Sequence, residues 1–408
     1  MKACERRPGL QCCGPGRTAL LVSALVGGST LLAPTAACGQ SAELTLTVGT
    51  AIGPEEASFV RIADVEVARD GRIVVIDEGT SRISVFDANG QFLQRFGGKG
   101  EGPSEFLHIG AAALTGDTLI VLDRSGGKLV YFTLDGSFLD TRPSGFSVHE
   151  YGFPGRLYPV RGGNLVLEGV SGCSLPRVEG EDTQWRLMMI RPGKEPVTLR
   201  RRDAGTMLAV YGTTDRGTFC TTLGLPFGAP PLVAVRADGV LASAVGGSPR
   251  VALYGDPTPS SADVPVATWF HDPPATELQL LAPGREFTRR DRNAWQKATL
   301  ASRSGPNVGR RVIDRLRQAM DEIVYPEHWP AYDRLLFDTP GDLWARRPPA
   351  IGAAETTWDV MQIDGTRRGT VRLPAKLDVR VVSGDRVYGI AKGDWDEDLL
   401  QRFDVRWN

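Results

Sequence analysis

Self-similarity is the property of this chain that most limits what it can fold into. Residues 65–98 read VEVARDGRIVVIDEGTSRISVFDANGQFLQRFGG, and residues 111–142 read AAALTGDTLIVLDRSGGKLVYFTLDGSFLDTR. Within them, IVVIDEGTSRISVFDANGQFL lies over LIVLDRSGGKLVYFTLDGSFL without a gap in the apolar runs. Each unit holds four short apolar runs separated by polar loops and by pairs such as Asp70-Gly71 and Asn89-Gly90. Those pairs supply the positive φ that tight hairpins need. A single four-stranded unit cannot bury both of its faces, but repeated units packed side by side can.

Four more worn units follow. The third pairs RLYPVRGGNLVLEGV with WRLMMIRPGKEPVTLRR across residues 156–201. The fourth is LVAVRADGVLASAVGGSPRVALYGD (232–256), with PVATWF (265–270) as its expected last strand. The fifth covers residues 332–374 and the sixth residues 377–407. The sixth has only three strands, and AELTLTVGT (42–50) alternates as the missing fourth would. The expected fold is therefore all-β. It is a six-bladed β-propeller over residues 42–408, closed by an N-terminal strand so that no sheet edge stays open. Residues 276–330 break the period. There Val312, Leu316, Met320 and Ile323 fall at helical spacing, which predicts a helical insertion before the fifth blade.

The pattern G-x-(I/L)-x-V-x-D, then R-(I/L)-x-V-(F/Y), then D-G-x-(F/L) resembles the NHL-type six-bladed propellers. The loop FGGKGEGPSEF (96–106) is similar to the connection between blades of bacterial members. The likeness is closest over residues 60–145 and recognisable over 325–408. It implies a scaffold and does not by itself imply an activity.

The first residues read as an export signal rather than as part of the fold. Lys2, Arg6, Arg7 and Arg17 precede the apolar stretch TALLVSALVGGSTLLA (18–33), and small residues follow. This predicts a signal peptide over residues 1–37 and a secreted or periplasmic protein. TAAC (35–38) resembles a lipobox that would place a lipid on Cys38, although Thr35 stands where Leu is usual. Cleavage after Ala37 or Ala42 fits equally. Apart from such an anchor, no membrane contact is expected. With the signal removed, Cys173 and Cys220 form an even pair in an oxidising compartment, and a disulfide between them is expected. A net charge of -1 supplies no basic field for nucleic acid. A monomer is expected.

Candidate chemistry is sparse. His108, His149 and His328 each precede an inner strand. They could hold Zn²⁺ if they faced one channel, and zinc-dependent amidating lyases use a propeller of similar type. No tight His spacing and no evident base accompany them. Asp77 and Asp123 occupy equivalent positions. Repeated acids could bind Ca²⁺, but closing a loop onto backbone N–H groups is the better reading. Trp344 and Trp358 are expected to pack between blades. The glycines of 96–106 lack the Lys-Ser/Thr and the following helix of a phosphate loop. The inner strands, EVARDG, AAALTG, YPVRGG, VAVRADG, LLFDTPG and VRVVSG, are mostly apolar with scattered Arg. No cofactor is expected from them. The reading favoured is a binding or scaffold protein that recognises a protein or small-molecule ligand on its blade-connection face. A metal-dependent hydrolase or lyase centred on the channel is the alternative.

Overall fold

A computed structural model describes residues 40–175, 183–215, 217–236, 238–255, 274–280, 283–304 and 308–407. Among these residues the chain forms six four-stranded antiparallel units. Their inner strands are Ile62–Val67, Ile109–Thr115, Phe153–Pro159, Pro231–Val235, Arg334–Phe337 and Asp378–Ser383. The second strands of the first two units, IVVID and TLIVLD, are almost wholly buried. Continuous β-branched and Leu runs suit a strand covered on both faces. The turn at Asn89-Gly90 places Gly90 at φ +80°, where a side chain would be strained.

Six apolar clusters lie between successive units and complete a ring. One joins Ile76 and Val85 of the first blade to Val121 and Phe132 of the second. Others join the second to the third, the third to the fourth and the fourth to the fifth. Trp344 and Trp358 of the fifth blade are fully buried in the cluster shared with the sixth, with ring centroids 6.4 Å apart. That is the interblade position read from their place in the repeat. The last cluster packs Tyr388 and Leu400 of the sixth blade on Val65 and Ile73 of the first. The strand Gln40–Val48 pairs antiparallel with Asp398–Val405, and Gln40 and Ser41 also pair with the outer strand of the fifth blade.

The structure redraws one boundary. Residues Thr276–Gln279 are the fourth strand of the fourth blade, so the segment without strand pattern starts after them. The expected strand 265–270 lies outside the described residues. Two helices follow, Arg289–Arg303 and Arg310–Glu322. Thr288 caps the first: its hydroxyl accepts from the Asp291 N–H, and the Asp291 carboxylate accepts from the Thr288 N–H. The second buries Leu316, Ala319 and Met320, with Val312 and Ile323 packed beside them. These helices do not rest on a blade face. They pack against a hairpin, Met207–Thr214 and Gly217–Gly224, that rises between the third and fourth blades. Phe227, Trp295, Tyr325 and Trp329 complete that cluster. The helical segment and the hairpin thus leave the ring on the two flanks of the fourth blade and meet in a separate apolar core.

Candidate functional site: a charged axial channel

All six inner strands line one cavity of about 590 Å³ along the axis of the ring. Its walls are the second halves of those strands and the turns that follow them, such as Thr115, Asn164 and Thr339. The cavity therefore lies towards the turn-bearing face, opposite to the blade-connection face favoured from sequence.

At its inner end a group of charged side chains crosses the channel. Arg156 of the third blade reaches the sixth, where its Nη2 donates to the carbonyl of Arg380. In a ring of six these two blades face each other. Arg380 donates in turn to Asp378 at 2.7 Å and lies 3.7 Å from Asp64 of the first blade. Arg334 of the fifth blade donates to the other Asp378 oxygen. Behind Arg156, the Tyr158 hydroxyl donates to Glu168 at 3.0 Å, and the Trp185 indole N–H donates to the second Glu168 oxygen at 3.1 Å. Two buried donors, Arg156 Nη1 and Arg380 Nε, have no acceptor among the described residues. A buried donor without an acceptor carries a cost that a bound acceptor would remove.

Burial dominates the titration of this group. It pushes the Glu66 carboxyl up to about 8, with Asp64 adding to the shift while Arg156 and Arg380 oppose it. Burial also raises Glu168, against the hydrogen bonds from Trp185 and Tyr158. Burial, followed by the nearby Glu168, lifts the Tyr158 hydroxyl well above its ordinary value. Asp378 goes the other way. Burial would raise it, but Arg334 and Arg380 outweigh that and hold it below the usual carboxylate range. The channel thus pairs ionised Asp378 with a Glu66 that is protonated over most of the neutral range.

The residues singled out from sequence sit elsewhere. His108, His149 and His328 do not converge, and among the described residues no group of three metal-ligating side chains forms. Each histidine belongs to a different element. His108 is hydrogen-bonded to the Ser125 hydroxyl at 3.0 Å, and His149 is exposed on the short helix Val148–Tyr151. His328 pairs its backbone with Glu286 beside the helical segment. Cys173 and Cys220 are separate thiols, so the expected bridge is not formed. Cys220 lies within a hairpin strand, opposite Tyr211, and the ladder fixes its backbone. Cys38 lies outside the described residues, as does the expected signal peptide. Asp77 accepts from the Val60, Arg61 and Gly79 N–H groups and from the Thr80 hydroxyl. Asp123 accepts from the N–H groups of Leu107, His108, Ser125 and Gly126. Both are loop-closing acceptors. The channel arginines were visible only as scattered cations in apolar strands, and Glu66 passed unremarked.

Comparison with known proteins agrees on the fold. The DUF5128 family model, a 6-bladed β-propeller, matches residues 53–177. The chain is 34% identical over 128 residues to the probable peptidyl-alpha-hydroxyglycine alpha-amidating lyase pgal-1 of Caenorhabditis elegans, a stretch covering 30% of this chain and 37% of that protein. Among solved structures, the calcium-binding protein regucalcin of Agrobacterium tumefaciens is 9% identical, with a TM-score of 0.41 over 87% of this chain and 94% of that one. Virginiamycin B lyase of Staphylococcus aureus is 11% identical, with a TM-score of 0.32 over 85% and 83%. The family model covers the first blades of the ring.

Proposed function

We propose that this chain is an exported, NHL-type propeller that binds a small polar ligand in its axial cavity. In this reading the signal peptide directs the protein out of the cytoplasm, with Cys38 available for lipidation. The N-terminal strand closes the ring, and the helical insertion with its hairpin braces the fourth blade. One observation carries the choice of the cavity over the blade-connection face: all six inner strands line it, and five arginines stand in its walls against two carboxyls. The test is a thermal-shift screen of the mature chain against small polar compounds, repeated on Thr115→Trp, which fills the cavity from its rim. Ligands should raise the melting temperature of the parent and leave that of the variant unchanged. Compounds that stabilise both alike would place the site elsewhere, and no hits would reject the reading.

A second reading rests on the 34% identity to an amidating lyase. It makes the channel the site of a metal-dependent lyase or hydrolase, using zinc or calcium. Metal analysis of purified protein should then find about one equivalent bound. Metal-free protein that keeps its fold and its ligand would leave the binding reading alone.

A further inference from the structure

We propose that the cavity recognises an oxyanion, a carboxylate or a phosphate, and that its ligand is therefore a small organic acid or a phosphate ester. This rests on the reading of the cavity as a ligand site and names the chemistry that would fill it. Five arginines line the cavity, Arg69, Arg156, Arg161, Arg236 and Arg380, against two carboxyls, Glu66 and Asp338. The carboxyls do not neutralise them. Asp338 spends both oxygens within its own blade: Oδ1 accepts from the Gly341 and Asp342 N–H groups, and Oδ2 accepts from the Trp344 indole at 3.0 Å. Glu66 is held largely protonated by burial at neutral pH. Arg236 is paired with Asp238 at 2.6 Å, whereas Arg69 makes no ion pair among the described residues.

The geometry sorts these groups by depth. Arg156 and Arg380 form the floor, tied together through the Arg380 carbonyl. That bond uses one guanidinium nitrogen of Arg156, and Arg380 uses its own on Asp378 and towards Asp64. Arg156 Nη1 and Arg380 Nε remain as buried donors. A planar oxyanion accepts two N–H donors at once, and Arg is suited to that role. Arg69 and Arg161 stand nearer the rim, on the strand end and turn of the first and third blades. Cations above a low-dielectric cavity raise the local concentration of anions. A protonated Glu66 would donate to a second oxygen of the ligand.

Calorimetric titration of the mature chain tests this, with inorganic phosphate and succinate as probes and glucose and putrescine as comparators. Phosphate, succinate or both should bind, less tightly at high salt. Binding should weaken about tenfold in Arg380→Gln and about threefold in Arg69→Glu, as expected for losing a charge-assisted contact and reversing a rim charge. Arg380 also anchors the sixth blade to Asp378, so Arg69→Glu, with its exposed side chain, keeps the test independent of folding. Anion binding that is unchanged in Arg69→Glu, or glucose or putrescine binding as tightly as the anions, would overturn the assignment. If compounds bind the parent but not Thr115→Trp while both anions fail, the cavity is a ligand site and only the anion assignment falls. If no probe or screened compound binds, both readings fall.

Discussion

The carboxyls of the upper loops and those of the channel have the same chemistry in opposite circumstances. Asp77 and Asp123 are buried, at 3% and 0% exposure, and each accepts four hydrogen bonds from its own blade. Their partners are mostly backbone N–H groups within the same repeat, from 2 to 17 residues away, so the interaction recurs wherever the repeat recurs. Glu66 accepts no hydrogen bond among the described residues, and its neighbours come from three different blades. A satisfied carboxylate holds the scaffold rigid and has nothing left to offer a ligand. An unsatisfied one beside underused arginines stores interaction capacity that a ligand can draw on. On the proposed reading, function lies in the side chains that the scaffold leaves incomplete.

Several substitutions would break or sharpen that contrast. The largest effect is expected for Asp123→Ala, which leaves four part-buried backbone donors without their acceptor and should cost about 3 kcal/mol in chemical denaturation. A loss below about 1 kcal/mol would show that the loop is not held by this group. Glu66→Gln should act through pH instead. Glu66 is raised from an ordinary 4.5 to about 8, so the folded state keeps a proton that the unfolded chain releases. Its presence is harmless below pH 4.5 and costs stability as pH rises towards 8. The variant should therefore match the parent at pH 4 and exceed it at pH 9 by about 2 kcal/mol, a value discounted because the channel admits water. Parallel stability–pH curves would refute the shift. His108→Ala removes one hydrogen bond to Ser125 and should change stability by about 0.5 kcal/mol or less, with no change in metal content. The smallest effect concerns the cysteines. Alkylation of folded, unreduced protein followed by mass spectrometry should label Cys173 and Cys220 separately, and a linked peptide would contradict the thiols seen here.

The blades could be read from the chain because their determinants are local. Apolar alternation, Asp-Gly and Asn-Gly turns, and the loop aspartates all act within one 30-residue unit, so two aligned units were enough to fix the pattern. The outer hairpin at Met207–Gly224 could not be read the same way. Its strands are rich in Thr and Gly, and its apolar face is completed by helices about 70 residues or more further on. The channel was still less visible. Arg156 and the Arg380 carbonyl are 224 residues apart, and only ring closure makes them neighbours. A lone Arg in an apolar strand carries no sign of what stands across the axis. The three histidines stay apart for a related reason: each belongs to a loop or helix outside the inner strands, whose position relative to the axis the repeat does not fix.

The pairing of Gln40–Val48 with Asp398–Val405 also sets an order of assembly. Thr45 hydrogen-bonds across 357 residues to Arg402, and Ile62 at the start of the first blade donates to Asp398. The first strand to be made therefore waits for the last. Each blade can form from neighbouring sequence, but the seam cannot set until the whole ring has been synthesised. Contacts of such separation are slow to form. The ring therefore stays open at one place, between its first and sixth blades, until both strands of the seam are present.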